Sequence, residues 1–220
     1  AVVLVQAKAD PNALIRGSTS LHRACEIRHL KLVNFLLKAG ANINQQTVSD
    51  KKDAQLIHGN TPLHIVCGVI KQGEDADSLA ITKTLLVAGA NTSIKNTSGD
   101  TPLHLASRHP KRLETINMLI RSRADVNAKN EMLQTPLHLA SRMLAENLEE
   151  WKVVENLITS GAKLHEKDKE KRTPKVRTEG SSRLVNKNYR QGREYASVMY
   201  MAFGCFPSFL QCECVFFFFC

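Results

Sequence analysis

Four histidines recur in one local setting: Thr19-Ser20-Leu21-His22, Thr61-Pro62-Leu63-His64, Thr101-Pro102-Leu103-His104 and Thr135-Pro136-Leu137-His138. Imidazoles ligate zinc and move protons, so these are the first residues to test for chemistry. A shared zinc needs its ligands about 2 Å from one ion. These histidines are 42, 40 and 34 positions apart, one in each copy of a repeated unit, and cannot converge on a single metal. A second set, Cys205, Cys212, Cys214 and Cys220, lacks paired CxxC knuckles, and the residues between them are largely Phe. No phosphate loop, nucleophile elbow or paired-carboxylate arrangement is present, so the sequence supports no catalytic, cofactor-binding or metal-binding residue. The chain reads as a non-enzyme.

The elements that carry the histidines are legible from self-similarity. A second apolar series runs in phase with the Thr motif: Leu36-Leu37, Leu85-Leu86, Leu119-Ile120 and Leu157-Ile158. Three positions beyond each pair stand Gly40, Gly89, Arg123 and Gly161. Thr followed by Pro suits a helix start, because the hydroxyl caps a free N–H and Pro at the first helical position forfeits no hydrogen bond. Six positions after each Thr comes a small residue, Cys25, Cys67, Ser107 or Ser141, which lets neighbouring helices approach closely. The second helix repeats apolar residues at i, i+3 and i+4, as in Val33/Leu36/Leu37 and Ile116/Leu119/Ile120. Glycine just past its end can take the left-handed backbone that stops a helix. Neither short helix is stable alone, so the unit must stack on its neighbours.

This pattern resembles the ankyrin repeat, whose signature is Thr-Pro-Leu-His with a period of about 33 residues. The resemblance covers residues 1–165 and implies an all-α solenoid: stacked helix-turn-helix units with β-hairpin or loop fingers and a concave surface formed by fingers and first helices. The expected organisation is a partial repeat over 1–9, then repeats over 10–41, 42–90, 91–124 and 125–162. A basic, disordered linker is expected over 166–200 and a Phe/Cys-rich tail over 201–220. A degraded fifth copy starts at Thr173-Pro174 and then fails. The resemblance also makes the four histidines structural hydrogen-bonding residues. The absence of an initiator Met, and the likeness of residues 1–9 to the end of an earlier repeat, suggest a truncated start.

Three departures from the pattern stand out. About nine extra residues enter one finger around Thr47–Ile57, because Asn42 to Thr61 spans 19 positions against 10 for Asn91 to Thr101. The segments Lys71–Ser78 and Met143–Trp151 are stretched as well. Arg123 and Leu133 stand where other copies place Gly, a substitution that costs about 1 kcal/mol in left-handed backbone.

Charge does not force nucleic acid as the target, which is not expected as a partner. The net +9 is concentrated: residues 163–200 hold 11 Lys/Arg against 5 Asp/Glu, while residues 1–162 hold 19 against 15. Lys167–Arg193 resembles a nuclear signal or polyanion contact, but Glu166, Asp168, Glu170 and Glu179 dilute it and the lone Tyr189 gives no aromatic interleaving of the kind base stacking uses, which favours a solvated linker. Residues 201–220 have membrane-spanning length, yet Gly204, Pro207, Gln211 and Glu213 interrupt them; a membrane contact is expected only there, and a non-native reading-frame extension fits the run Val215–Cys220 better. Unpaired cysteines point to a reducing, intracellular setting, cytoplasmic with the nucleus open.

The expected function is a protein-interaction scaffold or adaptor, with no small-molecule substrate. The alternative is the targeting arm of a larger multidomain enzyme or channel. The resemblance places partner-binding residues just before each Thr and seven and eight positions after it: Ser18, Asn60, Asp100 and Gln134 in the fingers, with Glu26, Ile27, Arg108, His109, Arg142 and Met143 on the first helices.

Overall fold

A computed structural model describes residues 10–48, 59–68, 76–109, 112–142 and 148–174. Among them are eight helices in four pairs. The first helices of the pairs are α1 (Ser20–Glu26), α3 (Pro62–Gly68), α5 (Pro102–Ser107) and α7 (Pro136–Arg142). The second helices are α2 (Leu30–Lys38), α4 (Ala76–Val87), α6 (Leu113–Arg121) and α8 (Leu148–Thr159). Within each pair the two helices touch. First helices stack on first helices (α1 on α3, α3 on α5, α5 on α7), and second helices on second helices. The chain is therefore an all-α ankyrin-type solenoid, as its sequence implies.

The local reasons are those of the motif. Thr19 sits in extended backbone at the head of α1; its hydroxyl accepts from the His22 N–H, and the His22 ring reaches back to the Thr19 N–H. The motif leucines Leu21, Leu63, Leu103 and Leu137 are buried, as are Cys25, Cys67, Ser107 and Ser141 at the close contact between first helices. Burial, then the nearness of Cys67, pushes the Cys25 thiol up to about 12, which makes it a packing group. On the second helices Val33, Leu36, Ile116, Leu119, Val154 and Leu157 form the other half of the core. Thr82 occupies the Val/Ile position of α4 without leaving a buried hydroxyl unsatisfied, because its Oγ1 donates to the Ser78 carbonyl at 2.8 Å.

The stops behave as the spacing predicts. Gly40, Gly89 and Gly161 are left-handed, and so is Arg123 at φ 63. In the fingers Gly59 and Gly99 are left-handed, and Leu133 at φ 56 adopts the same backbone without a glycine's freedom. At Gly99 a Cβ would also stand 2.5 Å from the Glu131 N of the next finger. Gly99→Ala is therefore expected to lower unfolding free energy by about 2 kcal/mol, whereas Leu133→Gly raises it by up to about 1 kcal/mol. Urea titrations of both variants check the opposite signs.

Two boundaries differ from the sequence reading. The inserted finger closes at its base where Thr47 N donates to Asn60 O and Gly59 N donates to Thr47 O, both at 2.9 Å, so the extra residues lie beyond Val48. Residues 166–174, expected as the opening of a basic linker, form a fifth finger. Asp168 N donates to Arg172 O at 3.0 Å, and Lys169 N reaches Met132 O of the preceding finger at 3.0 Å. Pro174 is buried, as the motif prolines are. The finger's hydrogen bonds are made by backbone and by Asp168, and none of them involves a residue beyond Pro174. Residues 1–9, most of the three stretched segments, Met143 and everything from Lys175 onward, including the tail, lie outside the described residues.

Candidate functional site

The four motif histidines are built into the frame. Each Nδ1 meets its own Thr hydroxyl at 2.8 or 2.9 Å. Each Nε2 lies opposite a backbone carbonyl of the next finger: His22 on Asn60 O, His64 on Asp100 O and His104 on Gln134 O at 3.0 Å, and His138 on Arg172 O at 3.2 Å. A carbonyl only accepts, so Nε2 carries the proton and Nδ1 receives the Thr donors, an arrangement open to neutral imidazole alone. Burial lowers the pKa of His22 and His104, and takes that of His64 down to about 4. These rings act as cross-struts between consecutive repeats.

The residues just before each Thr divide in two. Ser18 and Asn60 are half-buried. Asp100 is fully buried and Gln134 nearly so, unlike the residues at the equivalent position in the first two fingers. Asp100 is a hub: Oδ1 accepts from Asn130 Nδ2 at 2.8 Å, Oδ2 accepts from Arg108 Nη2 at 2.7 Å, and its N–H donates to Asn96 Oδ1 at 3.0 Å.

On the first helices, Glu26 pairs with Arg23 at 2.6 Å and Ile27 is 61% exposed. Arg108 is tied to Asp100 and its side chain is 38% exposed. His109 is half-buried, and burial, then Arg112 and Arg108, holds its pKa down. Arg142, the last residue of α7, is exposed. The fold thus lines up Glu26, Gly68, Arg108 and Arg142 at one register of four stacked helices, with Ile27 and His109 beside them. Among the described residues no three His, Cys, Asp or Glu groups gather as a metal site, and no described helix is long and apolar enough to cross a membrane.

A family model of ankyrin repeats in three copies matches residues 46–130 and 74–168, and a single ankyrin-repeat model matches residues 16–48. The chain belongs to the ankyrin-repeat family. It is similar to rabankyrin-5 of Homo sapiens, 32% identical over 111 residues that make up 48% of this chain and 9% of that protein. It is also similar to the E3 ubiquitin-protein ligase KEG of Arabidopsis thaliana, 30% identical over 121 residues, 54% of this chain and 6% of that protein. Ankyrin repeat and SOCS box protein 16 of Homo sapiens is 33% identical over 105 residues, 47% of this chain and 20% of that protein. The matched part of the chain thus spans a fifth or less of the length of each of these relatives. Ankyrin repeats are protein-interaction modules as a family.

Sequence reasoning missed the position five residues before Thr101, Thr135 and Thr173, where the ankyrin fingers of this chain carry Asn96, Asn130 and Asp168. Asn96 Oδ1 accepts from the N–H groups of Ser98 and Asp100, and its Nδ2 donates to Asn60 Oδ1 in the preceding finger, all at 3.0 Å. Asn130 repeats the arrangement on Met132, Gln134 and Asp100. Asp168 keeps the backbone half, accepting from Glu170 N and Arg172 N at 2.9 Å. The signal was visible as an Asx residue at constant distance from Thr. It escaped notice because Asx in a turn is ordinary.

Proposed function

We propose that the chain is a scaffold or adaptor that captures a protein partner on the face formed by its first helices and fingers, without chemistry of its own. The observation that carries this reading is the pair of neighbouring registers on the stacked first helices, Arg108 and Arg142 at one and Ile27 and His109 at the next: Ile27 and Arg142 are exposed, and Arg108 and His109 are partly so. A preorganised surface of this kind gains affinity because little conformational entropy is lost on binding. Ser18, Asn60 and Glu26 border it, and Met143 follows Arg142 in sequence.

Arg108 is a poor site for a test, since its guanidinium also closes the Asp100 hub. The better variant is Ile27→Asp with Arg142→Glu, both exposed. Full-chain bait and this double variant are compared by affinity capture from matched cell extract, with mass spectrometry of the bound protein. A specific partner reduced at least about ten-fold by the double variant, with far-UV circular dichroism unchanged, is the expected result. Retention of that partner at equal yield refutes the face.

A second reading, the targeting arm of a larger multidomain protein, is favoured by the small share of each relative that the matched chain covers. A full-length transcript that adds a catalytic or channel domain establishes it.

A further inference from the structure

At the start of each repeat an asparagine side chain ties the turn to the next repeat. Asn12 Oδ1 accepts from Asn42 N at 2.6 Å, Asn44 Oδ1 from Asn91 N at 2.8 Å and Asn127 Oδ1 from Lys163 N at 2.8 Å. Two of these rungs also reach the preceding helix stop: Asn12 Nδ2 donates to Gly40 O at 3.4 Å and Asn127 Nδ2 to Gly161 O at 3.0 Å. In the third repeat the equivalent residue is Ser93, two after Asn91, and its hydroxyl is one bond shorter than the asparagine carbonyl. The Asp125 N–H, the donor that this rung would satisfy, makes no hydrogen bond among the described residues.

The same turn carries a second exception. Gly40, Gly89 and Gly161 follow the second helices of the other repeats in left-handed backbone, and in the third repeat Arg123 takes that place at φ 63. A side chain held in left-handed backbone stores strain that a rearranged turn releases. Helix packing is also least extensive here, for α5 against α7 and for α6 against α8. The missing rung, the strained stop and the thinnest packing thus meet at one junction. Its finger side, by contrast, is well tied. Glu131 N donates to Ser98 O at 3.1 Å, Asn130 Nδ2 to Asp100 Oδ1 at 2.8 Å and Lys95 Nζ to Lys129 O at 2.8 Å.

We propose that the junction between the third and fourth repeats is a hinge: the fourth repeat and the fifth finger swing as one body against the first three repeats, held together through the fingers and parting at the turn around Arg123. Hinges are a few element-terminal residues that absorb a change in backbone angles, and Arg123 to Asp125 are such residues. The parting breaks the half-buried bond that joins α8 to α6, from Asn156 Nδ2 to Asn117 Oδ1 at 2.7 Å. Ile27, Arg108 and His109 move with the first body and Arg142 with the second. The hinge belongs to the frame, and it stands whether or not the face proposed above binds a partner.

The test is double electron–electron resonance on the full chain with Cys205, Cys212, Cys214 and Cys220 changed to Ser, so that nitroxides attach only at introduced cysteines. Cys25 and Cys67 are buried and do not compete for the label. One pair of labels spans the junction, Lys38→Cys with Thr159→Cys, and a second pair stops short of it, Lys38→Cys with Arg121→Cys; all three side chains are exposed at the ends of second helices. The expected result is a second distance component for the spanning pair alone. Ser93→Asn restores the rung and lowers the open-to-closed ratio about five-fold, and Asn156→Ala removes the tie between helices and raises it about five-fold, the factor that one net hydrogen bond gives. Ser93→Ala leaves the ratio unchanged. A single component for the spanning pair overturns the hinge. So does a second component that responds to neither Ser93→Asn nor Asn156→Ala, or one equally populated in the pair that stops short, which puts the movement elsewhere.

Discussion

Replacing Asp100 with alanine lowers the unfolding free energy by about 3 kcal/mol, the cost expected when one member of a buried, charge-assisted hydrogen-bond cluster is removed and its partners are left behind. The side chain is fully buried and has two clients from different elements, Asn130 Nδ2 in the next finger and Arg108 Nη2 at the end of α5. Deletion strands an amide donor that water cannot easily reach and leaves Arg108 without its carboxylate. The cluster also bridges two repeats, so its loss weakens the interface on which a solenoid's cooperativity depends. Asp100→Asn keeps an acceptor for Asn130 and forfeits the ion pair, and is expected to cost about half as much. Urea titration at neutral pH separates the two. A cost for Asp100→Ala no larger than that of an ordinary surface substitution, about 0.5 kcal/mol, would show that the hub adds nothing.

The second large effect is acid destabilisation through the histidine struts. His64 is fully buried, and its folded pKa is about 4 against 6.5 for a free imidazole. Because the folded pKa is the lower one, the unfolded chain binds the proton more readily between these values. Stability is then fully present above about pH 6.5, falls as the pH drops and stops falling from this group near pH 4. For His64 alone the loss reaches roughly 2 kcal/mol by pH 5, and His22 and His104, also lowered by burial, act in the same direction. The physical cause is specific. Protonation of Nδ1 removes the acceptor that the Thr61 N–H and hydroxyl use, at 3.2 and 2.8 Å. The decisive comparison is with His64→Gln, which is less stable than the parent at pH 7 but carries one titrating group fewer. The gap between the two proteins should narrow as the pH falls toward 5. Parallel stability curves would show that His64 does not titrate with folding.

How much of this was legible beforehand follows from the range of the interactions. Helix starts, stops and core positions were readable because each depends on residues a few positions apart, and four copies repeat the signal. Thr19 capping α1 through His22 is a contact across three residues, and Leu36 with Leu119 and Leu157 follows from helical spacing alone. The left-handed Arg123 and Leu133 were located by absence, as the two places where a recurring glycine was missing. The fifth finger is not legible from Thr173-Pro174, because the Thr-Pro-Leu-His signature is incomplete there. The turn before it needed only Asp168, Arg172 and a carbonyl for His138.

The candidate face was legible by register and not by exposure. Ser18, Asn60, Asp100 and Gln134 occupy one position in the repeat, yet Asp100 is sealed by side chains 30 residues ahead and eight residues ahead, a closure no local window contains. Arg108 and Arg142 likewise share a position and a side chain. Arg108 is paired with Asp100, whereas Arg142 has Gln134 at the equivalent position and makes no ion pair among the described residues. Sequence determined which residues are equivalent, since equivalence is set by the repeat. Only the tertiary structure decided which of the equivalents remain available, because burial and ion pairing are properties of neighbours brought together by stacking.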